Sequence, residues 1–163
     1  MPDRQYNLPE VYLHPGEMYL AREPAILATI LGSCVGVSFW SPQLRIGALC
    51  HAMLPRAPRP LREIGEVDGP RYVDYCIYRL SYQFQQLGLD RSAIQVKVFG
   101  GADVLFVTTP NTRPSIGRLN CETALALLNQ DGYTITATSL GETCGRKIRF
   151  NTSTGGVLLF RLS

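Results

Sequence analysis

Apolar and polar positions alternate through most of the chain, and the breaks in that alternation mark its elements. Residues 16–21 and 25–31 are apolar and β-branched, with Pro24 opening the second run, and both are predicted strands. Gly32-Ser33-Cys34 interrupts the pattern before Val35 to Trp40 resumes it, so the chain turns or bulges there with Cys34 at the kink. Ser41-Pro42-Gln43 reads as a turn, and Arg45 to Leu54 as the returning strand of a hairpin stopped by Pro55. That hairpin carries His51 back towards Cys34. Residues 56–70 have no period and many Pro, Arg and Gly residues, and read as a surface loop.

From Arg71 onward, Val73, Cys76, Ile77, Leu80, Phe84 and Leu87 recur at three- and four-residue steps, predicting a helix that Gly88 stops. Ile94 to Phe99 alternates as a strand and runs into Gly100-Gly101, where backbone can approach a neighbour closely. Ser115 is a candidate N-cap for a second helix carrying Leu119, Ala124, Leu125 and Leu128 and ending near Gly132. Tyr133 to Leu140, Arg146 to Phe150 and Gly156 to Leu162 read as three strands. About eight strands and two helices predict an α+β domain, and 163 residues without a linker or repeat predict one domain over 1–163.

Composition narrows the function classes. The net charge of +3 is small and its basic residues are dispersed, which argues against nucleic acid as a partner. One basic cluster, Arg56, Arg59 and Arg62, reads as a solvated loop first and an acidic-partner contact second. No apolar run approaches the about 20 residues of a spanning helix, and Met1 to Gln5 has no secretory pattern, so a cytoplasmic protein without membrane insertion is expected. Five cysteines without a C-x-x-C pair disfavour both a disulfide framework and a structural zinc site. Any special cysteine then acts as a thiol.

Only two histidines can serve as a base near neutral pH. His14, ahead of the expected strand core, reads as an exposed structural residue, whereas His51 ends an apolar run where an imidazole needs a partner. Cys34 stands at a kink, where N-H groups of Ser33 or Cys34 are available as an oxyanion hole and a nearby imidazole would lower the thiol from about 8.5. Gly100 and Gly101 are candidates to border a substrate cleft, with a plain tight turn as the alternative. On the residues alone, a Cys34/His51 hydrolytic pair stands beside the plainer reading in which both are core residues.

The motifs around these residues resemble the CheD family. They are Leu31-Gly32-Ser33-Cys34-Val35, Gly47-Ala48-Leu49-Cys50-His51-Ala52-Met53-Leu54-Pro55 and Phe99-Gly100-Gly101-Ala102, followed by Ile116 to Asn120, Leu140-Gly141, Gly145 to Ile148 and Thr154-Gly155. The resemblance implies a β-sandwich of mixed sheets flanked by helices, like the catalytic domain of cytotoxic necrotizing factor. It implies hydrolysis of glutamine side chains to glutamate on methyl-accepting chemotaxis receptors, with Cys34 as nucleophile, His51 as base and no cofactor or metal. The CheC phosphatase is an implied partner, and a non-catalytic module regulating it is the alternative. A transglutaminase-like thiol acyl transferase is a further competitor. The family's orienting threonine, commonly six positions before the cysteine, falls on Ala28 here. Thr29 is adjacent, and in a regular strand it points to the opposite face from position 28. Thr29 is the candidate orienter if a bulge restores it; otherwise another group orients His51 and Thr29 is only a β-branched strand residue. Glu142 stands where a second glycine is usual.

Overall fold

Nine strands form two mixed sheets in the computed structural model, which describes residues 7–104 and 113–163; the stretch Met1 to Gln5 lies outside them. The first sheet has the order β1-β3-β8-β9, built from Glu10–Tyr12, Ile26–Leu31, Arg146–Asn151 and Val157–Arg161. The second has the order β2-β5-β4-β6-β7, built from Met18–Ala21, Ile46–Ala52, Val35–Ser41, Gln95–Gly100 and Thr134–Leu140. Each sheet contains one parallel pair, β1 with β3 and β6 with β7, and is otherwise antiparallel.

Strand periodicity sorts the side chains of the central strands onto two faces. Val35, Val37 and Phe39 of β4 and Ala48, Cys50 and Ala52 of β5 point to one face, where they are buried against α1 (Val73–Gln86) and α2 (Ile116–Gln130). Phe39 meets Phe84 edge-on at 5.6 Å and tilts against Tyr133 at 4.9 Å, contacts that add roughly 0.5–1.5 kcal/mol each beyond burial. Leu49 of β5 and Phe99 of β6 point the other way. They interlock with Leu27, Leu31, Ile148 and Phe150 of the first sheet. The layers are therefore sheet, sheet and helices, with both helices covering one face of the second sheet.

The apolar stripe foreseen for α1 is the buried one, and Gly88 at φ 79 closes it by donating to the Gln85 carbonyl. Ser115 caps α2 by accepting the Arg118 N-H at 3.2 Å. The stripe of α2 runs instead through Gly117, Asn120, Cys121, Ala124 and Leu128, so Leu119 and Leu125 flank it. Two expectations need correction. The core begins before His14: β1 pairs with β3 and Leu13 is buried between the sheets, because Pro9 and Pro15 shorten this strand below a recognisable period. The 56–70 segment is also not wholly irregular, since Leu61–Glu63 and Gly69–Arg71 are 3-10 turns and Gly69 and Pro70 are buried. At Glu142 the chain keeps a left-handed φ of 62, the conformation that favours glycine, and this side chain pairs with Arg161.

Candidate active site

The β4/β5 hairpin sets His51 directly opposite Gly36, on the face turned towards the first sheet. Cys34 lies two residues before Gly36 and packs half-buried against the same inter-sheet cluster. Cys34 thus precedes by one residue the paired segment, which ends at Val35↔Ala52, and an extension of that register makes positions 34 and 51 diagonal neighbours, a relation of about 7–8 Å between backbone positions. Gly36 itself sits where a side chain would crowd the space between the sheets. A Cβ there would stand 3.1 Å from Leu31 Cδ1 and 3.3 Å from the Cys50 carbonyl.

His51 is 2% exposed, and its Nδ1 lies 2.7 Å from Thr29 Oγ1. The same hydroxyl donates to the Leu13 carbonyl at 2.7 Å. A threonine has one hydroxyl proton and a carbonyl can only accept, so Thr29 must accept from His51. This places the ring proton on Nδ1. Nε2 is left with its lone pair, the form a general base requires.

The adjacency of Thr29 to Ala28 needs neither of the solutions anticipated. The β3/β8 register runs unbroken from Ile26 to Leu31, so no bulge is present. Leu27, Thr29 and Leu31 share the inward face, while Ile30 is exposed on the other. Thr29 reaches His51 from an ordinary strand position.

Burial sets the charge state of both groups. Desolvation lowers His51 to about 4, partly opposed by the Leu13 carbonyl and the charge of Glu17. It raises the Cys34 thiol. The lowering of the thiol expected from a nearby imidazole is therefore overturned, because removal from water penalises thiolate and imidazolium alike. The resting pair is neutral at pH 7.

Three carbonyls fix the Cys34 kink. Gly32 accepts from the Ala102 N-H at 2.9 Å, Ser33 from Asn120 Nδ2 at 3.0 Å, and Cys34 from the Gly101 N-H at 2.8 Å. Among the described residues nothing accepts the N-H of Ser33 or Cys34. Gly100 and Gly101 lie buried behind the kink, with φ of 100 and 64. A Cβ on Gly100 would strike the Cys34 carbonyl, and one on Gly101 would strike Cys121 Sγ. Underneath, the fully buried Arg146 donates to Ser139 Oγ at 3.0 Å and to the carbonyls of Gly100 and Gly141 at 3.3 and 2.9 Å.

Asn120 was not foreseen as a site residue. Its Nδ2 also donates to the Met53 carbonyl at 3.0 Å, so it ties the Cys34 kink to the strand end beyond His51. The available signal was an amide side chain on the buried stripe of α2, where an unpaired polar group would be costly. Cys50, Cys76 and Cys121 lie in the helix-side core, and Cys144 is half-buried on the loop after β7. His14 is exposed, as expected. Among the described residues no group of three or more His, Cys, Asp or Glu could hold a metal ion, and no helix is long and apolar enough to cross a membrane.

A family model described as CheD chemotactic sensory transduction matches residues 53–161. The chain is 42% identical to "Probable chemoreceptor glutamine deamidase CheD 2" of Geobacter sulfurreducens, covering 100% of this chain and 96% of that protein. It is 37% identical to "Probable chemoreceptor glutamine deamidase CheD" of Maridesulfovibrio salexigens, over 99% and 97% of the two chains. Among solved structures, the hypothetical protein YfiH of Bacillus licheniformis aligns with a TM-score of 0.48 and 14% identity, covering 75% of this chain and 49% of that one.

Proposed function

The chain belongs to the CheD family, and from that premise we propose that it hydrolyses glutamine side chains of chemotaxis receptors to glutamate, as a single deamidase domain over 1–163. The observation that carries the reading is the Thr29-His51 hydrogen bond, which leaves Nε2 as a free base on the face where the Cys34 thiol lies. His51 Nε2 takes the thiol proton as sulfur attacks the glutamine Cδ. The carbonyl oxygen becomes an oxyanion facing the N-H groups of Ser33 and Cys34. His51 returns the proton to nitrogen, the C-N bond breaks and ammonia departs, leaving a thioester on Cys34. Water then adds to the thioester with His51 as base, the C-S bond breaks, and the proton returns to sulfur. Glutamate leaves and the thiol is restored, without a metal or organic cofactor.

The neutral resting pair suits this sequence, since the proton moves with the attack rather than before it. Gly100 and Gly101 support the kink from behind, and Thr29 orients the base. The threonine missing at position 28 was the one feature favouring a non-catalytic regulatory module, and the Thr29-His51 contact supports the catalytic reading over it. In the reading proposed here the exposed Arg56, Arg59 and Arg62 face acidic receptor helices, and the CheC phosphatase is a second partner, testable by co-purification of the two proteins. The sandwich is read as that of the cytotoxic necrotizing factor catalytic domain, which superposition of the two tests.

Purified protein incubated with a receptor fragment tests the activity. Ammonia release with matching conversion of amide to acid is expected, and its absence with Cys34→Ala. Added primary amine separates hydrolysis from acyl transfer: a glutamyl amide product would place the chain with transglutaminases.

A further inference from the structure

The planarity of the peptide bond links Asn120 to the chemistry at Cys34. The Ser33 carbonyl and the Cys34 N-H belong to one trans peptide unit and point in opposite directions. Whatever holds that carbonyl also aims that N-H. Asn120 Nδ2 holds it at 3.0 Å, while the flanking units are held through the Gly32 and Cys34 carbonyls by backbone N-H groups of Ala102 and Gly101. The middle unit, which carries the N-H nearest the thiol, is thus the one fixed by a side chain. We propose that Asn120 is the positioning residue that aims the Cys34 N-H at the oxyanion, through its grip on the Ser33 carbonyl.

Four further observations support the assignment. Both partners of Nδ2 are carbonyls, which only accept, so the amide orientation is unambiguous and both of its N-H bonds are used. The second bond, to Met53, references the kink to the strand that carries His51. Asn120 is fully buried, and its Oδ1 has no hydrogen-bond partner among the described residues. An orphaned buried acceptor is destabilising, a cost that a residue serving packing alone would avoid. Finally, α2 comes close enough for the reach because Gly117, one turn earlier, has no side chain: a Cβ there would stand 2.5 Å from the Ala102 carbonyl and 2.7 Å from that of Gly101.

This assignment rests on the deamidase reading above, and the test separates the two. Asn120→Asp keeps the shape but offers no N-H at neutral pH, and Asn120→Leu fills the same volume with apolar atoms. Thermal melts establish that the variants are folded. Each is compared with the native chain in kcat and KM on a receptor fragment and in the rate at which iodoacetamide alkylates Cys34, a displacement at saturated carbon that develops no oxyanion. A loss of one aligned oxyanion donor lowers kcat about 10²-fold. KM and the alkylation rate are expected to stay within about threefold of native, as for an interaction made only in the transition state. A folded variant whose kcat stays within about threefold of native overturns the inference, as does a parallel fall of kcat and alkylation, which would make Asn120 a support for the thiol instead. A native chain that releases no ammonia overturns the deamidase reading and this inference together. An active native chain with indifferent variants overturns this inference alone.

Discussion

Thr29→Val removes one oxygen and keeps the shape of the side chain, so it isolates what the hydroxyl does. The substitution deletes the bonds to the Leu13 carbonyl and to His51 Nδ1, both 2.7 Å. It also leaves a buried ring N-H and a carbonyl short of partners. Counting the two bonds and the stranded donor together gives a stability loss of roughly 2–4 kcal/mol. The effect on chemistry is separate. With Nδ1-H no longer stabilised by the hydroxyl, the tautomer carrying the proton on Nε2 competes, and that form cannot take a proton from Cys34. Removal of about 1.4–3 kcal/mol of tautomer preference lowers kcat roughly 10- to 10²-fold with little change in KM. The assay is steady-state ammonia release beside a thermal melt, with Thr29→Ser as the variant that restores the hydroxyl. A folded Thr29→Val protein with kcat within about twofold of native would refute the orienting role.

Other perturbations read other parts of the site. His51 titrates at about 4 in the folded chain against 6.5 unfolded, so kcat/KM is expected to hold down to about pH 5, and an acid limb near 6.5 would contradict the buried base. The unfolded chain takes up this proton first as pH falls, so the contribution of His51 to stability is complete above about 6.5 and lost towards about 4. The loss is on the order of 3 kcal/mol and should flatten in His51→Phe when unfolding is followed across that range. Gly100→Ala, at a left-handed φ and against the Cys34 carbonyl, is expected to cut kcat about 10²-fold by displacing the kink, as measured by ammonia release. Arg146→Met strands Ser139 Oγ and two carbonyls, and chemical denaturation should show a loss of about 3 kcal/mol or more.

Much of this site was legible because its key residues interrupt periodic patterns. Gly32-Ser33-Cys34 breaks an apolar run, and the hairpin length fixes which residue of β5 meets Gly36, so His51 could be brought near Cys34 by strand geometry alone. What escaped was set by tertiary contact. The inward face of β3 is decided by its packing on the second sheet, so a spacing rule anchored on position 28 left Thr29 as only one of two readings. Leu13 and β1 were hidden by prolines. Asn120 reads as one polar residue in a helix until its amide is seen between two carbonyls from different strands. The thiol's direction of shift was missed because proximity of an imidazole is visible in sequence order, whereas the depth of burial that outweighs it is not.

The central claim is that Cys34 and His51 convert a receptor glutamine to glutamate through a thioester. Its most direct test is mass spectrometry of a receptor fragment after incubation with the native chain in heavy-oxygen water. One heavy oxygen is expected at each converted glutamine, with ammonia released in equal amount and neither event with Cys34→Ala. Unchanged glutamines with the native chain, while the fragment still binds, would contradict it.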